Sequence, residues 1–168
     1  MSSSEAELRA EITALLQGSQ TLTLATLSAP AAVGGVVEPW AAELFFVNDD
    51  DLALYFISSA DSRHSRDLLQ SPQVAATVST HVSDWFCAKG LQICGQAAEV
   101  PESQRAAVLA LYLHKSPQLQ AVYLTPANAG EEAIRERLIK SCFFVIRPDW
   151  IRLIDNNIQF ASKRELRL

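Results

Sequence analysis

Four polar residues in a row, Asn48-Asp49-Asp50-Asp51, stand between two apolar runs, Trp40–Val47 and Leu52–Ser58. An asparagine followed by three aspartates favours a tight turn, so the runs must fold back on each other as an antiparallel hairpin. The same aspartates are also the residue type of a calcium loop, but they lack that loop's central glycine and distal glutamate. A solvated turn is the simpler reading.

Other segments repeat the hairpin logic. Thr21–Ser28 alternates leucine and threonine with period two, as a half-buried strand does. Gln73–Thr80 is rich enough in β-branched residues for another strand, and Phe86–Val100 alternates polar and apolar residues as its partner, with Gly95 available for a bulge. Cys142–Arg147 and Trp150–Ile154 read as two strands parted by Pro148-Asp149. Asn156-Asn157 then forms a tight turn into a last strand, Ile158–Ala161.

Helices are inserted among these strands. Glu5–Gln17 places Leu8, Ile12, Leu15 and Leu16 on one face and stops at Gly18. Ser62–Gln70 is a short helix before Pro72. Pro101-Glu102 opens a helix in which Ala106–Leu113 is apolar nearly all round, suited to packing on the body of the fold or on another subunit. Pro117–Leu124 and Ala129–Lys140 complete the set. The latter begins with Glu131 and Glu132 and ends with Arg135, Arg137 and Lys140, complementing the helix dipole, and His114-Lys115 at the end of the preceding helix reads the same way. Pro30, Gly34, Gly35 and Pro39 make Ala29–Pro39 a loop. Consecutive hairpins with inserted helices are not the alternation of a doubly wound sheet. They imply an α+β fold, mostly β: a small antiparallel barrel with peripheral helices, formed as a single domain over residues 1–168.

A chain of 168 residues with 49% hydrophobic composition can bury one sizeable core. Its net charge of −5 disfavours broad contact with nucleic acid or an anionic membrane. The N-terminal sequence has no secretory pattern and no apolar run reaches spanning length, so a cytoplasmic location is expected. Cys87, Cys94 and Cys142 form no metal-binding or disulfide pattern and read as buried thiols.

Chemistry concentrates where the Leu52–Ser58 strand meets the next helix. Ser58, Ser62, Arg63 and His64 place hydroxyls and cations at a helix start, which fits either an ordinary cap beside an exposed arginine or an anion site. No cysteine or second histidine lies at ligand spacing around His64, which leaves a metal site without support. Ser65 has no nucleophile elbow before it. His81, Asp84 and Trp85 read as loop residues, Trp150 as core and Arg152 as surface or interface.

The order of these motifs resembles the pyridoxamine-5'-phosphate-oxidase-like superfamily of FMN-binding split barrels. The resemblance rests on Trp40-Ala41-Ala42-Glu43, the strand ending Ile57-Ser58, Ser62-Arg63-His64 at a helix start, and Gly90-Leu91-Gln92-Ile93-Cys94-Gly95-Gln96-Ala97. The tail Asp155–Lys163 is similar to that of a bacterial branch, the YhbP-like proteins. The resemblance implies a six-stranded antiparallel split barrel, a homodimer and FMN in a groove between subunits. Ser58, Ser62, Arg63 and His64 would hold the phosphate, with His64 where better-known members carry lysine. Trp40, Ala41, Ala42 and Glu43 would lie along the flavin ring, and Gln92 would bond the ring or ribityl chain. The activity implied is that of a flavin-dependent oxidoreductase acting on a small molecule. The other reading is a non-catalytic barrel that has lost its cofactor or binds haem or a deazaflavin.

Overall fold

The computed structural model describes residues 3–28 and 36–168, so most of the expected Ala29–Pro39 loop lies outside the described residues. Among these, the element order is α1 (Ser3–Gly18), β1 (Thr21–Leu27), β2 (Pro39–Asn48), β3 (Leu54–Ser58), α2 (Arg63–Leu68), β4 (Gln73–Ser79), β5 (Lys89–Glu99), α3 (Glu102–Lys115), α4 (Pro117–Leu124), α5 (Ala129–Lys140), β6 (Cys142–Asp155) and β7 (Lys163–Arg167). The strands form one antiparallel sheet in the order β3-β2-β1-β4-β5-β6-β7, and a further β3–β6 pairing closes the first six into a barrel. β7 hangs from β6 as an extra strand. None of the described helices is long and apolar enough to cross a membrane.

The Asn48–Asp51 turn works through Asp49. Its carboxylate accepts from the N–H groups of Asp51 and Ala53 and from the Tyr55 hydroxyl, so β2 and β3 pair in the register Phe46 to Phe56. Leu52 adopts a positive φ of 69° and buries its side chain beneath the turn, so the strand begins at Leu54, later than its apolar composition predicts.

Inside the barrel, Leu22 and Leu24 meet Phe46, Phe56, Ile93 and Ile151, and the apolar face of α1 closes onto this cluster. A second cluster covers the other face of β3 and β6: Val108 and Tyr112 of α3 pack on Val47, Phe143 and Val145. Burying that face explains the near-continuous apolar sequence Cys142–Ile146, since both sides of β6 are covered there.

Five sequence expectations are corrected. Pro148-Asp149 does not break the strand; β6 continues to Asp155, and its register with β5 shifts between Cys94 and Gly95. Gly95 permits the bulge, since a Cβ there would collide with the Arg147 carbonyl oxygen and come within 2.8 Å of Pro148 Cα. The expected strand over Phe86–Val100 starts only at Lys89, because the Asp84 carboxylate caps a single 3-10 turn over Trp85–Cys87. Ile158–Ala161 is a turn closed by Ser162 N–H on the Gln159 carbonyl, and the last strand is Lys163–Arg167. The cysteines are not buried: Cys87 and Cys94 are exposed and Cys142 is half-buried, Cys94 because it alternates outward between Ile93 and the bulge. Trp150 is not core either. It faces outward, with its indole N–H donating to Glu165 at 3.2 Å and the Arg152 guanidinium lying over its ring.

Candidate functional site

At the end of β3 the chain turns through Ser59–Ser62 into α2. Ser62 is the N-cap: its Oγ accepts from Ser65 N–H at 3.2 Å and donates to Ser65 Oγ at 2.7 Å. Ser58 Oγ donates to Ser62 Oγ at 3.1 Å and lies 2.7 Å from His64 Nε2. Burial holds His64 below its ordinary value of 6.5, so the ring is neutral at pH 7. The Phe56 ring meets it edge-on. Three of the four residues predicted to hold a phosphate are therefore joined in one polar knot.

The fourth, Arg63, points elsewhere. Its Nη2 pairs with Glu38 Oε2 at 2.9 Å, and its guanidinium lies 4.7 Å from the centre of the Trp40 ring. Trp40 and Ala42 share the inward face of β2, because they pair with the inward residues Thr26 and Leu24. Ala41 and Glu43 face outward. Register carries that outer face across the sheet in two rows, Ala41–Ala25–Ala75–Cys94 and Glu43–Thr23–Thr77–Gln92. Glu43 and Gln92 thus share a face but stand three strand spacings apart, about 14 Å. Glu43 accepts from Thr21 Oγ1 at 2.7 Å, and Gln92 Oε1 accepts from Arg152 at 3.2 Å.

The barrel is split beside this region. β3 pairs with β2 only over Phe46–Asn48, which leaves the second edge of Pro39–Phe45 without a strand among the described residues. α3 covers part of the gap: the Tyr112 hydroxyl lies 3.1 Å from the Phe45 carbonyl oxygen and 2.9 Å from that of Tyr55. One turn on, Lys115 Nζ donates to the carbonyls of Leu16 and Phe46 at 3.1 and 3.2 Å and sits 4.2 Å above the Phe46 ring. Lys115 therefore complements the last turn of α1 rather than its own helix. Burial pushes its ammonium down to about 8.

Two depressions flank Ile57. A cavity of about 860 Å³ lies along Glu43–Val47, walled by Ile57, Tyr112, Leu119 and Leu138. On the other side, a depression of about 680 Å³ is lined by Ser58 and Ser59 together with Glu136, Arg137, Lys140 and Ser141 at the α5 end. Sequence reasoning did not find Arg137 and Lys140 as site residues. Their spacing on α5 signals only a dipole-complementing helix end, and nothing local reveals that this end lies opposite Ser58.

A split barrel with a polar knot at the β3–α2 turn invites comparison with known proteins. The family model of pyridoxamine 5'-phosphate oxidase matches residues 8–155. The chain belongs to the pyridoxamine 5'-phosphate oxidase family. Among curated proteins, this member is 26% identical to a UPF0306 protein of Klebsiella pneumoniae over 127 residues, 75% of each chain. The resemblance read from the sequence, to this family and its YhbP-like branch, is thereby borne out. Solved structures similar to this family member include a haem-binding protein from Mycobacterium smegmatis, with a TM-score of 0.65 at 19% identity, covering 95% of this chain and 56% of that one. Another is HutZ, the haem storage protein of Vibrio cholerae, with a TM-score of 0.61 at 22% identity, covering 83% and 88%. At these identities the likeness is one of fold.

Proposed function

We propose that this chain binds FMN as a single split-barrel domain, pairs as a homodimer with the flavin at the subunit interface, and serves as a flavin-dependent oxidoreductase for a small molecule. The observation that carries the reading is the pair of depressions meeting at Ile57, one largely apolar and one that gathers Ser58, Ser59 and Ser141 with Arg137 and Lys140, beside Glu136 and Ala133. An aromatic ring system joined to a phosphate needs that pairing of surfaces.

The residues present fit FMN. Ser58 and Ser62, now bonded to each other and to Ser65, would turn their hydroxyls to the phosphate end, His64 would hold Ser58, and Arg63 would contribute its charge by exchanging Glu38 for the phosphate. Ala41 and Ala42 bring no bulk to the open part of β2, so a flat ring can approach the backbone, while Trp40 and Glu43 bound that stretch. Gln92 offers an amide on the outer sheet face, where the uncovered row of small residues suits a second copy of the chain. Bound FMN supplies hydride and single-electron transfer. The protein's part is to grip the phosphate, orient the ring and exclude water with the apolar walls. A cytoplasmic location and independence of nucleic acid and membrane belong to the same reading.

The haem-related neighbours favour a second reading, a non-catalytic haem-binding module. Against it, no histidine, cysteine or methionine is among the described residues lining the larger cavity, and its one tyrosine, Tyr112, has its hydroxyl placed against backbone carbonyls. Equilibrium dialysis of the apoprotein against FMN, riboflavin and haemin separates the readings. Micromolar or tighter FMN binding, with quenched flavin fluorescence, supports the first; haemin binding without flavin binding contradicts it.

A further inference from the structure

We propose that α5 completes an anion pocket in which Arg137 and Lys140, together with Ser58 and Ser59, bind a phosphate monoester. The inference rests on the flavin reading only in identifying that phosphate as the end of FMN.

Charge accounting at the β3–α2 turn carries the argument. A phosphate monoester brings roughly −1.5 to −2 charges at neutral pH and is held firmly only by cations as well as hydrogen bonds. The knot of Ser58, Ser62 and Ser65 supplies hydroxyls and no charge, and His64 is neutral there. Arg63 is paired with Glu38 and lies over Trp40. Arg137 lines the same depression as Ser58 and Ser59, and its guanidinium has no ion pair or hydrogen bond among the described residues. Lys140 is paired with Glu136 at 3.1 Å, an exposed i,i+4 contact worth little and readily exchanged for phosphate.

The α5 C-terminus would oppose an anion through its open carbonyls. Here one of those open carbonyls, that of Ile139, is served by the Arg105 guanidinium at 2.6 Å, while the Ser141 hydroxyl and N–H both bond the Arg137 carbonyl. Glu136 also lines the depression, so with it on Lys140 the wall keeps one net positive charge, that of Arg137.

The test compares FMN with riboflavin, which lacks only the phosphate. In the full chain, Arg137→Gln with Lys140→Gln should weaken FMN by roughly tenfold or more while leaving riboflavin affinity unchanged. Arg135→Gln removes the same charge from the same helix outside the pocket, and it should change neither ligand. Both α5 residues are exposed, and an unchanged circular dichroism melt verifies folding. If wild-type protein binds FMN and riboflavin equally, or the double variant keeps its FMN affinity, the anion pocket is wrong while the flavin reading stands. If neither flavin binds, the flavin reading falls and calorimetric titration with inorganic phosphate decides the pocket alone. Phosphate binding lost in the double variant upholds it, and no binding to the wild type overturns it.

Discussion

Gly95 shows how much one missing side chain can set. Its bare Cα lets the Arg147–Pro148 backbone approach and turns β6 outward-in by one residue, which presents Trp150 and Arg152 to the outer face. Gly95→Ala should therefore destabilise the fold by about 1–3 kcal/mol, the range of forced overpacking, seen as a lower urea midpoint; an unchanged midpoint contradicts the bulge. His64 makes a second residue-level prediction. Because burial favours the neutral ring, its NMR titration midpoint should lie below the ordinary value of 6.5. Below 6.5 the unfolded chain takes up a proton that the folded ring resists, so His64 contributes a loss of stability on acidification. A midpoint above 6.5 contradicts the buried, Ser58-bonded placement. Ser58, Ser62 and His64 were legible in sequence because helix capping is local chemistry. The Arg63 pairing with Glu38 was not, since it depends on β2 returning beside α2.

Among the elements, α3 does what a strand would do elsewhere. Where β3 leaves β2, Tyr112 and Lys115 bring polar atoms to the carbonyls of Phe45, Tyr55 and Phe46. Tyr112→Phe should cost about 1–3 kcal/mol, the penalty for leaving a buried acceptor unserved, in urea unfolding; no loss would mean the split is held otherwise. The Lys115 ammonium sits at about 8 against its ordinary 10.5. Between those values the unfolded chain keeps the proton and the folded chain releases it, so the contribution of Lys115 to stability rises with pH across that window. The stability of wild type relative to Lys115→Met should accordingly improve as pH rises above about 8, and a flat difference contradicts it. The apolar run Ala106–Leu113 announced a packed helix, but period and composition do not say which carbonyls it serves. Pro148-Asp149 misled for a related reason: proline marks a strand break unless the partner strand offers a glycine, and that partner lies some fifty residues earlier.

For the whole molecule, hairpin order alone pointed to an antiparallel barrel, and the sheet closes through β3 and β6 as such an order allows. The site is less local. Its predicted residues divide between a polar knot, the two faces of β2 and the outer row ending at Gln92, and a ligand that touches all of them has to span the split and the exposed sheet face. This division is what a groove between two copies would complete. The most direct measurement is sedimentation velocity of the FMN-reconstituted chain followed at the visible flavin band. The flavin should travel with a boundary of twice the 18.4 kDa chain mass, one per protomer. Flavin left behind in solution, or carried by a strict monomer, would contradict the account.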